Sequence, residues 1–135
     1  MKVCVDANVI ISALIGGVTR EILFDPKFEF ISTEFTINEV RKYMPLIAEK
    51  SRASVKKAKI ALSVLPINIY KREHYSGKIE EANRIIGKID ENDVDILALA
   101  LKFGCYLWSN DKHFDCIPEN IKTRCIKTKE IIAFG

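Results

Sequence analysis

Val94-Asp95-Ile96-Leu97-Ala98-Leu99-Ala100-Leu101-Lys102-Phe103-Gly104-Cys105-Tyr106-Leu107-Trp108-Ser109-Asn110-Asp111 changes its hydrophobic rhythm halfway along. Val94, Leu97, Ala98 and Leu101 recur at the spacing of one helix face, in a run rich in the good helix formers Ala and Leu. Gly104 then supplies the stop, because glycine takes the left-handed backbone of a helix end without a steric cost. Cys105 to Trp108 is a short apolar run that reads as a buried strand, and Ser109-Asn110-Asp111 sits at its carboxyl end. The order helix, glycine, strand, acid is that of an α/β unit.

Working outward, Val3 to Val5 reads as a strand broken by Asp6, and Asn8 to Leu14 as a helix ending before Gly16-Gly17. Val18 to Phe24 reads as a short helix and Phe28 to Ile31 as a strand. Ser32-Thr33 then caps a helix carrying Phe35, Val40, Tyr43 and Met44, which Pro45 either breaks or follows with a new helix at its first turn. Ser54 to Leu65 is amphipathic: Val55, Ala58, Ala61, Leu62 and Leu65 share one face, and Lys56, Lys57 and Lys59 mostly lie off it. Ile67, Ile69 and Tyr70 form a third strand, and Glu80 to Ile86 a helix stopped by Gly87. Arg124 to Ile126 reads as a last strand and Lys129 to Phe134 as a closing helix. Strands alternating with helices imply one α/β domain over residues 1–135, a parallel sheet of four or five strands covered on both faces.

The 135 residues are enough for one core and too few for two. With 48% hydrophobic and 29% charged residues the chain is soluble and globular in type, not disordered. No stretch approaches the roughly 18 apolar residues of a membrane span. Asp6 interrupts the first apolar run and no small-residue cleavage site follows, so the expected location is the cytoplasm. Cys4, Cys105, Cys116 and Cys125 show no C-x-x-C pair, which argues against zinc; Cys4 and Cys105 read as buried reduced thiols, while Cys116 and Cys125 stay open. A net charge of +3 is too small to argue for nucleic acid by itself. The basic residues do cluster, in Arg41-Lys42, from Lys50 to Lys59 and in Lys71-Arg72.

The acids carry the chemistry. In a parallel sheet, functional groups collect beyond the carboxyl ends of the strands, where Asp6 and Asp111 stand, although either also suits a helix cap. Glu39 falls inside the arc that Phe35, Val40, Tyr43, Met44 and Ile47 fill on the helix, and a carboxylate facing a core needs an Arg or a cation to compensate it. Asp90-Glu91-Asn92-Asp93-Val94-Asp95 holds four acids, more than capping requires; Asp90 reads as the plain cap, with Asp93 reaching back as in a capping box. Gathered together, such carboxylates raise one another's pKa unless a cation intervenes, and oxygen-only donors suit Mg²⁺ or Mn²⁺. Two such ions about 3.5–4 Å apart activate water and stabilise the leaving oxygen of a phosphodiester. His74 and His113 are too few for zinc, and His113 reads as an exposed loop histidine. A P-loop and a G-x-S-x-G elbow are both missing, so the acid cluster is the chemistry on offer.

These residues resemble a PIN domain, the ribonuclease fold of the VapC-type toxins, over nearly the whole chain. The marks are Val3-Cys4-Val5-Asp6-Ala7-Asn8-Val9-Ile10-Ile11-Ser12, then Leu97-Ala98-Leu99-Ala100-Leu101, then Trp108-Ser109-Asn110-Asp111-Lys112-His113-Phe114, with Glu39 and Asp93 between. The resemblance implies that Asp6, Glu39, Asp93 and Asp111 are catalytic, metal-binding acids. It implies that Asn8 helps hold the first of them and that Ser109 steadies the last. Asp115 matches an additional late metal-binding acid of some members or is a cap, and Asp95 stands where related sequences need no acid.

The function so implied is a Mg²⁺- or Mn²⁺-dependent endoribonuclease. Helices between Thr33 and Leu65 would then clamp the RNA, with Arg41, Lys42, Lys56 and Lys112 as candidates for phosphate contacts. A homodimer is the expected assembly, and an antitoxin protein the expected partner if the chain is a toxin. The alternative is a PIN-like module that binds RNA or protein without cutting. The RNA target, the cleavage position and any action on DNA are not written in the sequence.

Overall fold

The computed structural model describes residues 1–134. Five parallel strands form its sheet: β1 (Lys2–Val5), β2 (Glu29–Thr33), β3 (Ile67–Tyr70), β4 (Tyr106–Trp108) and β5 (Cys125–Ile126). Their order is β3-β2-β1-β4-β5, every neighbouring pair parallel. The chain builds outward from β1 to β3, then returns to lay β4 on the other side of β1. The topology therefore reverses between β1 and β4, the place where a parallel sheet opens a crevice at its carboxyl edge.

Side chains alternate along the strands, so each strand feeds two cores. Val3, Val5, Phe30 and Trp108 face one layer, made by α1 (Ala7–Ile15), α2 (Val18–Leu23), α3 (Glu34–Lys42), α4 (Met44–Ser51), α5 (Val55–Val64) and α8 (Thr128–Ile132). Cys4, Ile31 and Leu107 face the other, built on α6 (Ile79–Ile86) and α7 (Val94–Phe103). Helix α7 is buried from Val94 through Leu101, which explains why its sequence is apolar nearly all round. Gly104 ends it with φ +58°, the left-handed cap read from the sequence.

Two local differences from the sequence reading bear on function. Residues 34–51 form two helices broken at Tyr43, with Pro45 in the first turn of the second as one of its two sequence readings had it, but the arc around Glu39 had run across that break. The apolar arc drawn around Glu39 therefore does not exist as one surface: Phe35 is half-buried and Tyr43 is 47% exposed. Upstream of α7, residues Glu91–Asp93 form a 3-10 turn, and Asp90 caps it by accepting from the Asn92 amide. Asp93 does not reach back as in a capping box; its carboxylate turns to His113.

No helix among the described residues is long and apolar enough to cross a membrane. All four cysteines are unpaired; burial raises the Cys4 thiol pKa and pushes Cys105 and Cys125 up to about 11, which leaves them protonated at neutral pH.

Candidate metal centre

Asp6 follows β1 directly and is 6% exposed. Its Oδ1 accepts from the Ala7 amide at 2.8 Å, and its Oδ2 accepts from the Ser109 hydroxyl at 2.7 Å. Ser109 follows β4, the strand paired with β1, and its Oγ also accepts from the Asp111 amide at 3.1 Å. One fully buried hydroxyl thus ties the first acid to the backbone of the last. Burial raises the Asp6 carboxyl pKa, while Ser109 and the Ala7 amide oppose the rise.

Asp111 caps the short 3-10 turn Lys112–Cys116, accepting from the His113 amide at 2.9 Å. That turn swings the His113 ring back over the acids, where Nδ1 lies 3.2 Å from Asp93 Oδ2, 3.4 Å from Asp111 Oδ2 and 3.7 Å from Asp90 Oδ2. Asp93, 8% exposed, has its carboxyl pushed up to about 7 by burial and by the Asp6 charge, against the pull of His113. His113 is shifted upward by its bond to Asp93 and by the surrounding carboxylates. Donor atoms of Asp90, Asp93 and His113 all lie within 4.8 Å of one another, close enough to share one cation.

Glu39 reaches this place from α3. Its side chain is 21% exposed and pairs with Lys42 at 2.9 Å, one turn along the same helix. Asp6, Asn8, Thr36, Glu39, Asp90, Asp93 and Asp111 line one cleft of about 190 Å³, with Tyr43 at its side. The four acids expected from the sequence are therefore brought together around a single opening. Glu39 arrives from the rim and not from a core arc, since the helix break removes the apolar neighbours that had argued for burial.

Other expected residues divide. Asn8 lines the cleft, but Asp6 is held by Ser109 and the Ala7 amide instead. Asp115 is exposed, pairs with Lys127 at 3.7 Å and does not line the cleft. Lys42 touches a cleft acid; Arg41 bonds Asn38 and borders a separate apolar cavity; Lys56 and Lys112 are exposed. Asp95 faces the opposite way, toward Tyr75 and Arg72. His113 and Asp90 are the residues that sequence reasoning set aside. The available signal for His113 was its place two residues beyond a turn-capping Asp, which folds its ring back toward that acid.

The PIN domain family model matches residues 4–130, so the chain belongs to the PIN-domain family. No curated protein sequence matches it. Among solved structures, VapBC2 from Rickettsia felis bound to a DNA fragment from their promoter aligns with a TM-score of 0.65 at 14% identity. The match covers 94% of this chain and 98% of that one, and at this identity it shows the fold alone.

Proposed function

We propose that this PIN domain is a divalent-metal-dependent endoribonuclease that hydrolyses RNA phosphodiester bonds at the acid cleft. The observation that carries the reading is the convergence of Asp6, Glu39, Asp90, Asp93 and Asp111 on one opening, the buried Asp6 and Asp93 with raised pKa values. Carboxylates so placed oppose one another's ionisation, and a cation relieves the conflict. Oxygen donors with one imidazole nitrogen fit Mg²⁺ or Mn²⁺, and the nitrogen of His113 tips the balance toward Mn²⁺. Asp6, Glu39, Asp93 and Asp111 would hold the ion, with Asp90 and His113 beside them. When bound, it supplies positive charge for the phosphate oxygens and lowers the pKa of water.

The chain's own residues do the positioning. Ser109 locks the orientation of Asp6 and of the Asp111 backbone together, so the two strand ends act as one rigid wall. Lys42 holds Glu39 at the rim, and Asn8 offers an amide to substrate at the cleft wall. Arg41, Lys56 and Lys112 would guide the RNA backbone by charge alone. Asp115, paired with Lys127 outside the cleft, takes no part.

The finer reading is the toxin of a toxin–antitoxin pair: a cytoplasmic homodimer neutralised by an antitoxin. The family and the likeness to the VapBC2 structure support it. The deciding experiment incubates the protein with labelled RNAs in Mg²⁺ or Mn²⁺ and in EDTA. Cleavage that needs the metal and disappears in Asp6→Asn and Asp93→Asn supports the nuclease. Retained cleavage in EDTA would sink it, and binding without turnover would move the assignment to a non-cutting module.

A further inference from the structure

Asp95 is a charge that the acid cleft does not use. It lies in the first turn of α7, 7% exposed, two residues from Asp93 but directed into the opposite wall. A buried carboxylate is costly unless it is compensated. Here the buried Tyr75 hydroxyl donates to Asp95 Oδ2, and the Arg72 Nε lies 3.7 Å from the same oxygen. Arg72 is thereby anchored by one edge while its side chain remains 67% exposed. Its terminal amino groups have no hydrogen-bond partner among the described residues.

Arg72 lines a groove of about 880 Å³ between α3 and α6, and among the described residues it is the sole cation in that lining. Phe35 and Asn38 of α3 stand in its wall, and Asn92 lines both this groove and the acid cleft. Helix α3 also sends Glu39 to the cleft and Phe35 to the groove, so the two openings share a wall. We propose that the groove is a substrate subsite for single-stranded RNA, in which Arg72, positioned by Asp95 and Tyr75, grips a phosphate beside the one to be cut.

This inference rests on the ribonuclease reading. An Arg fork suits a phosphate, and a half-exposed Phe ring suits an unpaired base. Carboxylates in the groove do not preclude a polyanion there. Glu80 pairs with Arg84 at 3.1 Å, Asp95 is compensated as described, and Glu34 and Glu91 can accept from base amino groups or ribose hydroxyls.

The test measures binding and cleavage of a short single-stranded RNA by the full chain. Binding is read by fluorescence anisotropy in EDTA across a salt series; cleavage is read in Mn²⁺. Arg72→Ala is expected to weaken binding about tenfold and reduce the salt slope by about 0.7, the release of one phosphate contact. It is expected to raise KM more than it lowers kcat. Arg72→Lys should recover part of the binding, and Asp95→Asn should weaken it less than Arg72→Ala. A melting temperature lowered by Arg72→Ala with binding, salt slope and KM unchanged would assign Arg72 to stability alone and overturn the proposal while leaving the nuclease standing. Wild-type binding that depends on Arg72 without any cleavage would refute the nuclease and, with it, the place of this phosphate beside one to be cut, leaving the groove an RNA-binding site only; failure of the wild type to bind RNA would remove both.

Discussion

Ser109 is the residue on which the geometry of the cleft turns. Its hydroxyl is fully buried, donates to Asp6 and accepts from the Asp111 amide, so it joins the ends of β1 and β4. Ser109→Ala should leave the Asp6 carboxylate without the one side-chain donor it has among the described residues and destabilise the fold by about 1–3 kcal/mol in urea unfolding. A change within error would mean that the hydroxyl bonds contribute no net stability. Asp93 has a different signature. Its carboxyl ionises near 7 in the folded, cation-free chain and near 3.8 once unfolded, so the folded state holds the proton more tightly. The associated stability is full below about pH 4 and is lost as pH rises through about 7. In EDTA the thermal midpoint should fall as pH rises from about 4 to about 7, and Asp93→Asn should flatten that fall. Equal slopes in both proteins would show that Asp93 carries no such strain. At this scale Asp6 and Asp111 stood out by their strand ends, whereas Asp93 was singled out among neighbouring acids by the family resemblance. His113 was not legible, because its role depends on a backbone turn that residue type does not announce.

At the scale of elements, the cleft depends on where helices begin and end. Gly104 closes α7 at φ +58°, and a Cβ there would meet only the Lys122 side chain, at 3.8 Å. Gly104→Ala therefore carries a conformational cost and no clash, expected at about 1 kcal/mol in denaturant unfolding with cleavage per folded molecule unchanged. A loss of activity in the folded variant would show that the cap also aligns β4 and the acids behind it. Helix α3 starts on Thr33, whose Oγ1 accepts from the Thr36 amide at 2.9 Å, a cap visible in the sequence. The end of that helix was harder to read. Apolar residues continue through Tyr43, Met44 and Ile47, so periodicity alone extends the helix, whereas the backbone breaks at Tyr43 and restarts around Pro45. With that break Glu39 changes from a carboxylate expected among apolar side chains to one delivered to a rim by a short helix.

Across the whole molecule, one sheet with a topological reversal between β1 and β4 explains why distant acids meet. Helix-to-strand alternation made the parallel sheet legible, as did the apolar strand ends at Asp6 and Asp111. The strand order was not, since pairing depends on which edges adjoin and a single sequence does not encode that locally. Helix α3 divides the acid cleft, which Thr36 and Glu39 line, from the Arg72 groove, which Phe35 and Asn38 line. Asp115, placed among the metal-binding acids by resemblance, lies outside the cleft with Lys127. The cleft acids are accordingly proposed as a single cation site that excludes Asp115. Calorimetric titration of Mn²⁺ into the wild type, Asp93→Asn and Asp115→Asn tests that claim most directly. Saturable binding in the wild type, weakened at least about tenfold by Asp93→Asn and unchanged by Asp115→Asn, is the expected result, a difference of about 1.4 kcal/mol or more. Equal binding by the wild type and Asp93→Asn would contradict it.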